Sequence, residues 1–356
     1  MAHFGFVALG LTLASLPLVT ASSCNANIDP STTRPQQEAA MFFGGYNQIL
    51  GMPANQHRLF NDSGIQASLG QMHVGGLRYP GGTQANYFNI SSADFVKPCS
   101  LAGEKGGYIC NEQDVLQQWP PGTASLGNYY NDISTKLVGG SENMVYVLNL
   151  LTQSGEDLYR QVDTLVNSVP LDKIKYIELG NEYYLPQYRS QLPNASSYMA
   201  MAIALKQYIK QRIPHAMVSV PVCDSADTWN QQMMQFRENI TVVTIHDYSE
   251  GYHPSGKGFS QHLEEAMETL AGTVGSVPNW VYQNVISWGW YRIPTISQMV
   301  AHEFGHDVKI FNSEFDVRPT FDEVLGYKAL RAIFALNYKL AAFCQANQTW
   351  QKAASL

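Results

Sequence analysis

Two glutamates in the sequence follow short apolar runs that contain β-branched and aromatic residues. Glu182 comes directly after residues 174–180 and one asparagine, and Glu314 ends residues 308–314. Runs of this length and composition are typical of strands buried on both faces of a parallel sheet. Because the carboxyl ends of parallel strands meet at one edge, we expect the two carboxyl groups to lie close together.

Such a pair is suited to one kind of hydrolysis. Two carboxyl groups about 5 Å apart can cleave a glycosidic bond with retention: one protonates the leaving oxygen, and the other forms a glycosyl-enzyme that water then releases. Burial at the strand end favours the protonated form of Glu182, and a nearby Arg78 favours the ionised form of Glu314. Glu182 could also be only the polar residue at which a strand meets solvent.

Further polar or aromatic residues stand at the ends of other predicted strands or in a loop. Arg78 precedes a Tyr-Pro-Gly-Gly turn, Asn181 stands beside the first glutamate, and His246 and Tyr248 end the sixth predicted strand. Trp288 belongs to an aromatic segment that could stack on sugar rings. The alternatives are that Arg78 is a solvated turn residue, that His246 only supports its neighbours, and that Trp288 packs in the core or anchors its loop.

A competing motif suggests different chemistry. His302, Glu303 and His306 form a literal H-E-x-x-H sequence, which on a helix places two imidazoles on one face for zinc and predicts a secreted metalloprotease. The longer metzincin pattern fails, because lysine stands where its glycine is needed. The segment also leads directly into the predicted strand that ends in Glu314. In a barrel, the segment would therefore lie at the face opposite the one that carries the two glutamates. Glu323 could still supply a third ligand.

The elements that would position these residues alternate regularly between strand and helix. The predicted strands are 40–45, 72–82, 143–150, 174–182, 216–223, 240–248 and 308–314, and the predicted helices are 126–137, 156–169, 196–213, 229–238, 258–274, 296–303 and 324–343. Seven alternations favour an α/β fold, a (β/α)₈ TIM barrel, over an open doubly wound sheet. An eighth strand is doubtful or missing: residues 347–356 hold either a poor strand or the end of a truncated chain. Residues 83–122 form a long connection that is functional or a lid.

Composition and the N-terminus indicate a compartment. The net charge is -7 with 14% charged residues, so we expect neither a nucleic-acid footprint nor a basic membrane patch. Residues 4–19 are apolar and are followed by small residues, which predicts a cleaved secretory signal over 1–21. Residues 22–38 read as a polar leader and 39–356 as the barrel. After signal cleavage we expect no membrane association.

Sequons and cysteines agree with a secreted glycoprotein. Cys99 and Cys110 could form a disulfide across a glycine-rich loop, and the odd count of five cysteines leaves a free thiol, for which Cys223 is the candidate. The sequence contains five N-glycosylation sequons, at Asn61, Asn89, Asn194, Asn239 and Asn347.

Two motifs together resemble a known clan. Residues 180–182, Gly-Asn-Glu, with Glu314 at the end of a later strand, resemble the retaining (β/α)₈ glycoside hydrolases. Residues 77–83, Leu-Arg-Tyr-Pro-Gly-Gly-Thr, are similar to the second strand of the α-L-arabinofuranosidase and heparanase/β-glucuronidase-like branches. Members of these branches usually carry a C-terminal β-sandwich, which this sequence lacks.

The resemblance implies a secreted glycosidase acting on oligo- or polysaccharides, with no metal or organic cofactor. In it, Glu182 is the acid/base, Glu314 the nucleophile, Asn181 binds the sugar 2-hydroxyl and Arg78 steadies Glu314. It also matches two residues to the polar end of the sixth strand, His246 and Tyr248. A non-catalytic glycan-binding barrel is a further alternative, and neither the sugar nor the oligomeric state is predicted.

Overall fold

The structure of the protein is a computed structural model. It describes residues 45–47, 63–64, 67, 76–97, 99, 102–103, 106–117, 124–132, 134–136, 144–225, 227–250, 288–318, 338 and 350–355. All of them belong to a compact unit that spans Gln37–Leu356. The predicted signal, the polar leader and the helices predicted over 258–274 and 324–343 lie outside the described residues, apart from Tyr338.

Eight strands form a closed barrel in which each strand pairs in parallel with its neighbours in the chain, and the last pairs with the first. The strands are β1 (Gly45–Asn47), β2 (Gly76–Tyr79), β3 (Val145–Val147), β4 (Tyr176–Glu178), β5 (Met217–Pro221), β6 (Val242–Glu250), β7 (Lys309–Arg318) and β8 (Trp350–Ser355). The predicted (β/α)₈ barrel is therefore confirmed.

Strand β8 resolves the doubt about an eighth strand. It pairs with β1 on one side and with β7 on the other, and so closes the barrel. Its sequence, Trp-Gln-Lys-Ala-Ala-Ser, contains no β-branched residue. Strand propensity depends strongly on context. Backbone pairing with β1 and β7 therefore stabilises β8 as a strand although its side chains do not favour one.

Helices flank the strands. They are α1 (Gly106–Gln117), α2 (Leu126–Asp132), α3 (Glu156–Ser168), α4 (Ala195–Arg212), α5 (Thr228–Met233) and α6 (Trp288–Glu303). Asn194 and Asp227 start α4 and α5 by accepting hydrogen bonds from the free amides of the first turn. Among the described helices, none is long and apolar enough to cross a bilayer.

Several predicted boundaries were wrong. Strand β4 ends at Glu178, four residues before the predicted end, so Glu182 lies in the turn that follows it. Strand β7 continues past Glu314 to Arg318. The helix predicted over 229–238 ends at Met233 and continues as a 3₁₀ helix, and the helix predicted from residue 296 already begins at Trp288.

The long connection after β2 contains secondary structure. A 3₁₀ helix spans Gly82–Asn86, and an antiparallel hairpin pairs Phe88–Asn89 with Asp94–Phe95. The predicted disulfide is confirmed: Cys99 and Cys110 are bonded, with their Cα atoms 5.2 Å apart. The bridge ties the start of α1 to the end of the hairpin segment.

The barrel interior is apolar where the strands begin. Side chains from neighbouring strands pack together there in a cluster separate from the main core, formed by Val145, Tyr176, Val242 and Phe311 with Met217 against them. Strand residues alternate between the interior and the helices. Nearer the carboxyl ends of the strands the buried side chains include polar ones, such as Arg78 in β2 and Glu178 at the end of β4.

Candidate active site

The turn after β4 has an unusual backbone. Gly180 has φ 99°, and Glu182 has φ 52°, which is a left-handed conformation that glutamate seldom adopts. A Cβ atom on Gly180 would lie 2.0 Å from the ring of Tyr183, so only glycine fits there. Asn86 pairs with the backbone of the residue between them: its Nδ2 donates to the carbonyl oxygen of Asn181 at 2.8 Å, and its Oδ1 accepts from the amide at 3.1 Å. These contacts hold Glu182 in its strained position.

A β-bulge positions the second glutamate. The register between β6 and β7 shifts after Ile245, so that His246 pairs with Glu314. Ser313 is brought to the same histidine, with its Oγ 3.0 Å from Nε2. A bulge next to a site commonly changes the direction in which a side chain points. Here it places two successive residues of β7 beside one histidine of β6.

The two glutamates and His246 meet at the carboxyl ends of the strands. One carboxyl oxygen of Glu182, one of Glu314 and one ring nitrogen of His246 lie within 4.8 Å of one another. The Nδ1 atom of His246 is 3.0 Å from Oε1 of Glu182 and 3.5 Å from Oε2 of Glu314. The hydroxyl of Tyr184 donates to Glu182 at 3.4 Å. The structure therefore brings together the two carboxyl groups that the sequence placed at one edge.

Arg78 lies beneath this pair and is fully buried. Its Nη1 donates to Oε1 of Glu314 at 2.5 Å, and its Nη2 donates to Oδ1 of Asn181 at 2.9 Å. The Nε and Nη2 atoms both donate to Oε2 of Glu178, at 2.9 and 2.7 Å. Tyr248 donates to the other oxygen of Glu314. Arg78 is thus part of the interior network, and the interpretation of it as a solvated turn residue is wrong.

Burial and neighbouring carboxylates oppose each other at Arg78 and His246 and act together at Tyr248. Burial disfavours the charged guanidinium, but attraction to Glu178 and then to Glu314 prevails and raises the pKa of Arg78. Burial also disfavours the imidazolium of His246, yet Glu314 and Glu182 raise its pKa above the usual value. Burial, and then Glu314, raise the pKa of Tyr248, so that its phenol stays a hydrogen-bond donor.

The same three residues could in principle hold a metal ion, since carboxylate oxygens and an imidazole nitrogen are ligands for divalent cations. Two features weigh against this. The guanidinium of Arg78 donates to Glu314 at 2.5 Å and already supplies a positive charge there. The second oxygen of that carboxylate accepts from Tyr248. A cation would have to enter beside a fixed positive charge.

Trp288 lies outside this network. Its Nε1 donates to Oδ2 of Asp247 at 3.3 Å, its ring packs edge-on against Tyr291, and Arg292 lies over the ring. Arg292 also pairs with Asp224 and Asp247, which join α6 to the ends of β5 and β6. These contacts anchor the start of the helix. Stacking of Trp288 on a sugar stays a prediction.

The H-E-x-x-H segment does not have the geometry of a zinc site. Helix α6 ends at Glu303, and Gly305 with φ 116° turns the chain before His306. The two imidazoles therefore do not share one helical face. Glu303 is buried, accepts a hydrogen bond from Asn230 at 3.0 Å, and has its pKa raised by burial. Among the described residues, the only cluster that could hold a metal is the one around His246.

Sequence reasoning missed three residues of the site. Glu178 lies within the apolar run of β4, Asn86 in the connection after β2, and Ser313 one position before the second glutamate. The charge of Glu178 inside a buried strand was the available signal, since an acidic side chain is almost never fully buried without a partner.

Comparison with solved structures identifies the fold. No protein-family model matches the chain, and no curated protein matches it in sequence. A family 51 α-L-arabinofuranosidase from Bifidobacterium longum superposes with a TM-score of 0.58 at 15% identity, over 89% of this chain and 66% of that one. The family 51 arabinofuranosidase from Xanthomonas axonopodis pv. citri gives 0.55 at 13% identity, over 89% and 66%.

A 4-O-α-L-rhamnosyl-β-D-glucuronidase from Fusarium oxysporum gives a TM-score of 0.51 at 13% identity, over 89% of this chain and 63% of that one. This chain therefore spans less than two thirds of each of these three structures. At these identities the likeness shows the fold, and the resemblance to the (β/α)₈ glycoside hydrolases is confirmed at that level.

Proposed function

We propose that the chain is a glycoside hydrolase that cleaves O-glycosidic bonds with retention of configuration. The observation that carries this proposal is the separation of at most 4.8 Å between a carboxyl oxygen of Glu182 and one of Glu314. Retaining enzymes need carboxyl groups about 5–5.5 Å apart, whereas inverting enzymes leave about 6.5–9.5 Å for a water molecule. The bound of 4.8 Å between these two oxygens lies on the retaining side of that division.

Glu314 is the nucleophile in this proposal. Arg78 donates to one of its oxygens and Tyr248 to the other, both at 2.5 Å. These two hydrogen bonds, one of them from a positive charge, fix the plane of the carboxylate. The carboxylate attacks the anomeric carbon, the bond to the leaving oxygen breaks, and a glycosyl ester forms on Glu314.

Glu182 is the general acid and then the general base. It is half-buried and lies 3.0 Å from Nδ1 of His246. Glu182 gives its proton to the leaving oxygen in the first step and takes a proton from the attacking water in the second. Asn181 precedes it, and the buried Nδ2 of Asn181 has no hydrogen-bond partner among the described residues, which makes it available to a sugar hydroxyl.

The substrate in this proposal is an oligo- or polysaccharide. The names of the structural neighbours suggest arabinofuranosides and β-glucuronides as the first sugars to examine. Nitrophenyl α-L-arabinofuranoside, β-D-glucuronide, β-D-glucoside and β-D-xyloside form a suitable panel. Release of nitrophenol from at least one of them by the full chain is the expected result.

Covalent trapping tests the mechanism. A 2-fluoro glycoside with an activated leaving group, matched to the best substrate of the panel, should add one glycosyl unit to the peptide that contains Glu314. E314Q should bind the glycoside without labelling. E182A should label with the activated substrate but release the sugar slowly, and azide should accelerate that release. Product of inverted configuration, or a label on another residue, would overturn the retaining assignment.

A glycan-binding barrel without catalysis is the alternative outcome of the same experiment. In that case the wild-type chain would bind oligosaccharides, no glycoside in the panel would be cleaved, and no label would form.

We also propose that the chain is secreted. The apolar segment 4–19, the five sequons and the disulfide between Cys99 and Cys110 support this, since disulfides persist in oxidising compartments. Expression of the full chain in a eukaryotic host should give a protein in the medium whose N-terminus follows Ala21. Retention of an uncleaved chain inside the cell would contradict the proposal.

A further inference from the structure

A third glutamate lies inside the barrel below the proposed catalytic pair. Glu178 is the last residue of β4 and is 1% exposed. Its Oε2 accepts hydrogen bonds from Nε and Nη2 of Arg78, at 2.9 and 2.7 Å. Its Oε1 is buried and has no hydrogen-bond partner among the described residues. Arg78 is therefore held between two carboxylates, Glu178 on one edge and Glu314 on the other.

The two edges of the guanidinium are used differently. The Nε edge is occupied by Glu178, and the remaining Nη1 is left for Glu314. A guanidinium is planar, so fixing the Nε and Nη2 atoms on one oxygen also fixes the direction of Nη1. Arg78 comes from β2 and Glu178 from β4, and neither can rotate without losing these contacts.

The positive charge of Arg78 interacts with both carboxylates, Glu178 and Glu314. Burial disfavours its cation, and attraction to Glu178 outweighs attraction to Glu314 among the interactions that keep it charged. Glu314 therefore has a positive neighbour whose charge is partly balanced from the other side. A carboxylate that faced the whole of that charge would be more stable as an anion and a weaker nucleophile.

Packing does not require a charged pair at this position. The layer next to it in the interior is apolar and includes Tyr176 and Phe311. A buried ion pair often contributes no more to stability than apolar side chains of the same size. Among the described residues, the carboxylate of Glu178 accepts hydrogen bonds only from Arg78. Its presence is therefore better explained by the role of Arg78.

We propose that Glu178 is a positioning residue for the nucleophile: it directs Nη1 of Arg78 at Glu314 and moderates the positive charge that Glu314 experiences. This inference rests on the proposed glycosidase function. It assigns to Glu178 an effect on Glu314 that is exerted entirely through the guanidinium.

The test compares wild type, E178Q and E178D. Glutamine keeps the size and one acceptor for Arg78 but removes the charge, so Glu314 should lose its proton at lower pH. We expect the acidic limb of the kcat/KM profile to move down by about one pH unit and kcat to fall about tenfold, with a smaller change in KM. E178D keeps the charge, so its acidic limb should stay near that of wild type even if kcat falls.

A second measurement does not need turnover. Titration of ¹³C-labelled glutamate by NMR, with the Glu314 signal identified by its loss in E314Q, should show the protonation midpoint of Glu314 displaced to lower pH in E178Q. A midpoint and an acidic limb that are unchanged in E178Q would overturn the inference. So would equal displacement in E178Q and E178D, which would indicate a general loosening of the barrel.

The matched control is E303Q. Glu303 is also a buried glutamate. It lies at the end of α6 and accepts its described hydrogen bond from the neutral Asn230. Its loss should leave the acidic limb and the Glu314 midpoint at the wild-type pH. If wild type cleaves no glycoside, the proposed function fails, while the NMR titration still decides whether Glu178 acts on Glu314.

Discussion

The phenolic oxygen of Tyr248 lies 2.5 Å from Oε2 of Glu314, while Nη1 of Arg78 lies 2.5 Å from Oε1. Each oxygen of this carboxylate therefore has its own donor, one neutral and one charged. Charge-assisted hydrogen bonds of this kind are short and directional. The two donors hold the plane of the carboxylate against rotation, which is what a nucleophile aimed at one carbon atom requires.

Removal of the Tyr248 hydroxyl should weaken catalysis more than binding. A hydrogen bond to a charged group contributes about 1.5–3 kcal/mol, so Y248F should lower kcat/KM by about ten- to hundredfold. Most of the loss should appear in kcat, since the bond orients Glu314 and does not hold the sugar. Steady-state kinetics on the best substrate of the glycoside panel would measure both constants.

Y291F is the control for this change. Tyr291 is 45% exposed, and its ring packs on Trp288. Its hydroxyl makes no hydrogen bond to Glu314, Arg78 or Tyr248 among the described contacts, so Y291F should keep wild-type kinetics. Wild-type kcat in Y248F, or an equal loss in both variants, would remove Tyr248 from the orientation of the nucleophile.

His246 should make stability depend on pH. Glu314 and Glu182 raise its pKa against the effect of burial and of Arg78. A raised pKa in the folded state means that the folded protein binds the proton more tightly. The contribution of His246 to the free energy of unfolding is therefore complete below its unperturbed pKa of 6.5. It is lost as the pH rises from there through the pKa of the folded state.

Urea unfolding of wild type and H246Q across this range measures the effect. The free energy of unfolding of wild type should fall more steeply than that of H246Q as the pH rises above 6.5. Other groups titrate in both proteins, so the difference between the two curves isolates His246. Parallel curves would show that the histidine holds no extra proton in the folded state.

Much of the fold follows from the regular spacing of apolar runs, and the polar residues that ended them identified most of the site. Arg78, Asn181 and Glu314 all join one network, as their positions at strand ends indicate. Strand β8 was not recognised because it contains no β-branched residue, and its pairing depends on the closure of the barrel.

The residues that were missed depend on contacts between distant segments. Asn86 acts on the backbone of Asn181, and no local pattern links a connection after β2 to the turn after β4. Ser313 reaches His246 only because of a bulge. The contact between the indole of Trp288 and Asp247 was likewise not predicted, while stacking of Trp288 on a sugar stays a prediction. Sequence position alone did not supply these partners.

The turn at Gly180 should tolerate no side chain. G180A adds a methyl group at a residue with φ 99° and directs it at the ring of Tyr183, only 2.0 Å away. Backbone strain and overpacking together should lower the free energy of unfolding by about 2–4 kcal/mol. The turn carries Glu182, so activity should fall as well. Chemical unfolding and kinetics on the same preparation would measure both effects.

G127A is the matched control. Gly127 lies in α2, and a methyl group there would meet no atom within 4 Å. Alanine is the better helix former by about 1 kcal/mol, so G127A should keep or raise the free energy of unfolding and keep activity. Equal stability of G180A and wild type would show that the turn adopts another conformation in solution.

Two of the sequons should differ in glycan occupancy if the chain is secreted. The side chain of Asn239 is exposed, and its described contact is made by the backbone carbonyl oxygen, which accepts from Lys206. The Nδ2 atom of Asn89, to which a glycan would be attached, instead donates to Gln153 at 3.2 Å, while its Oδ1 accepts from the amide of Ser91. A bulky glycan at Asn89 would break the contact with Gln153.

Intact mass before and after enzymatic deglycosylation, on protein secreted from a eukaryotic host, measures this difference. N239Q should lose the mass of one N-glycan, whereas N89Q should keep the wild-type glycan mass, because the folded chain accommodates a glycan only where the amide nitrogen faces solvent. Loss of a glycan in N89Q with none in N239Q would contradict the placement of these side chains. A wild-type protein without any glycan would count against secretion and leave the barrel and its paired carboxyl groups untouched.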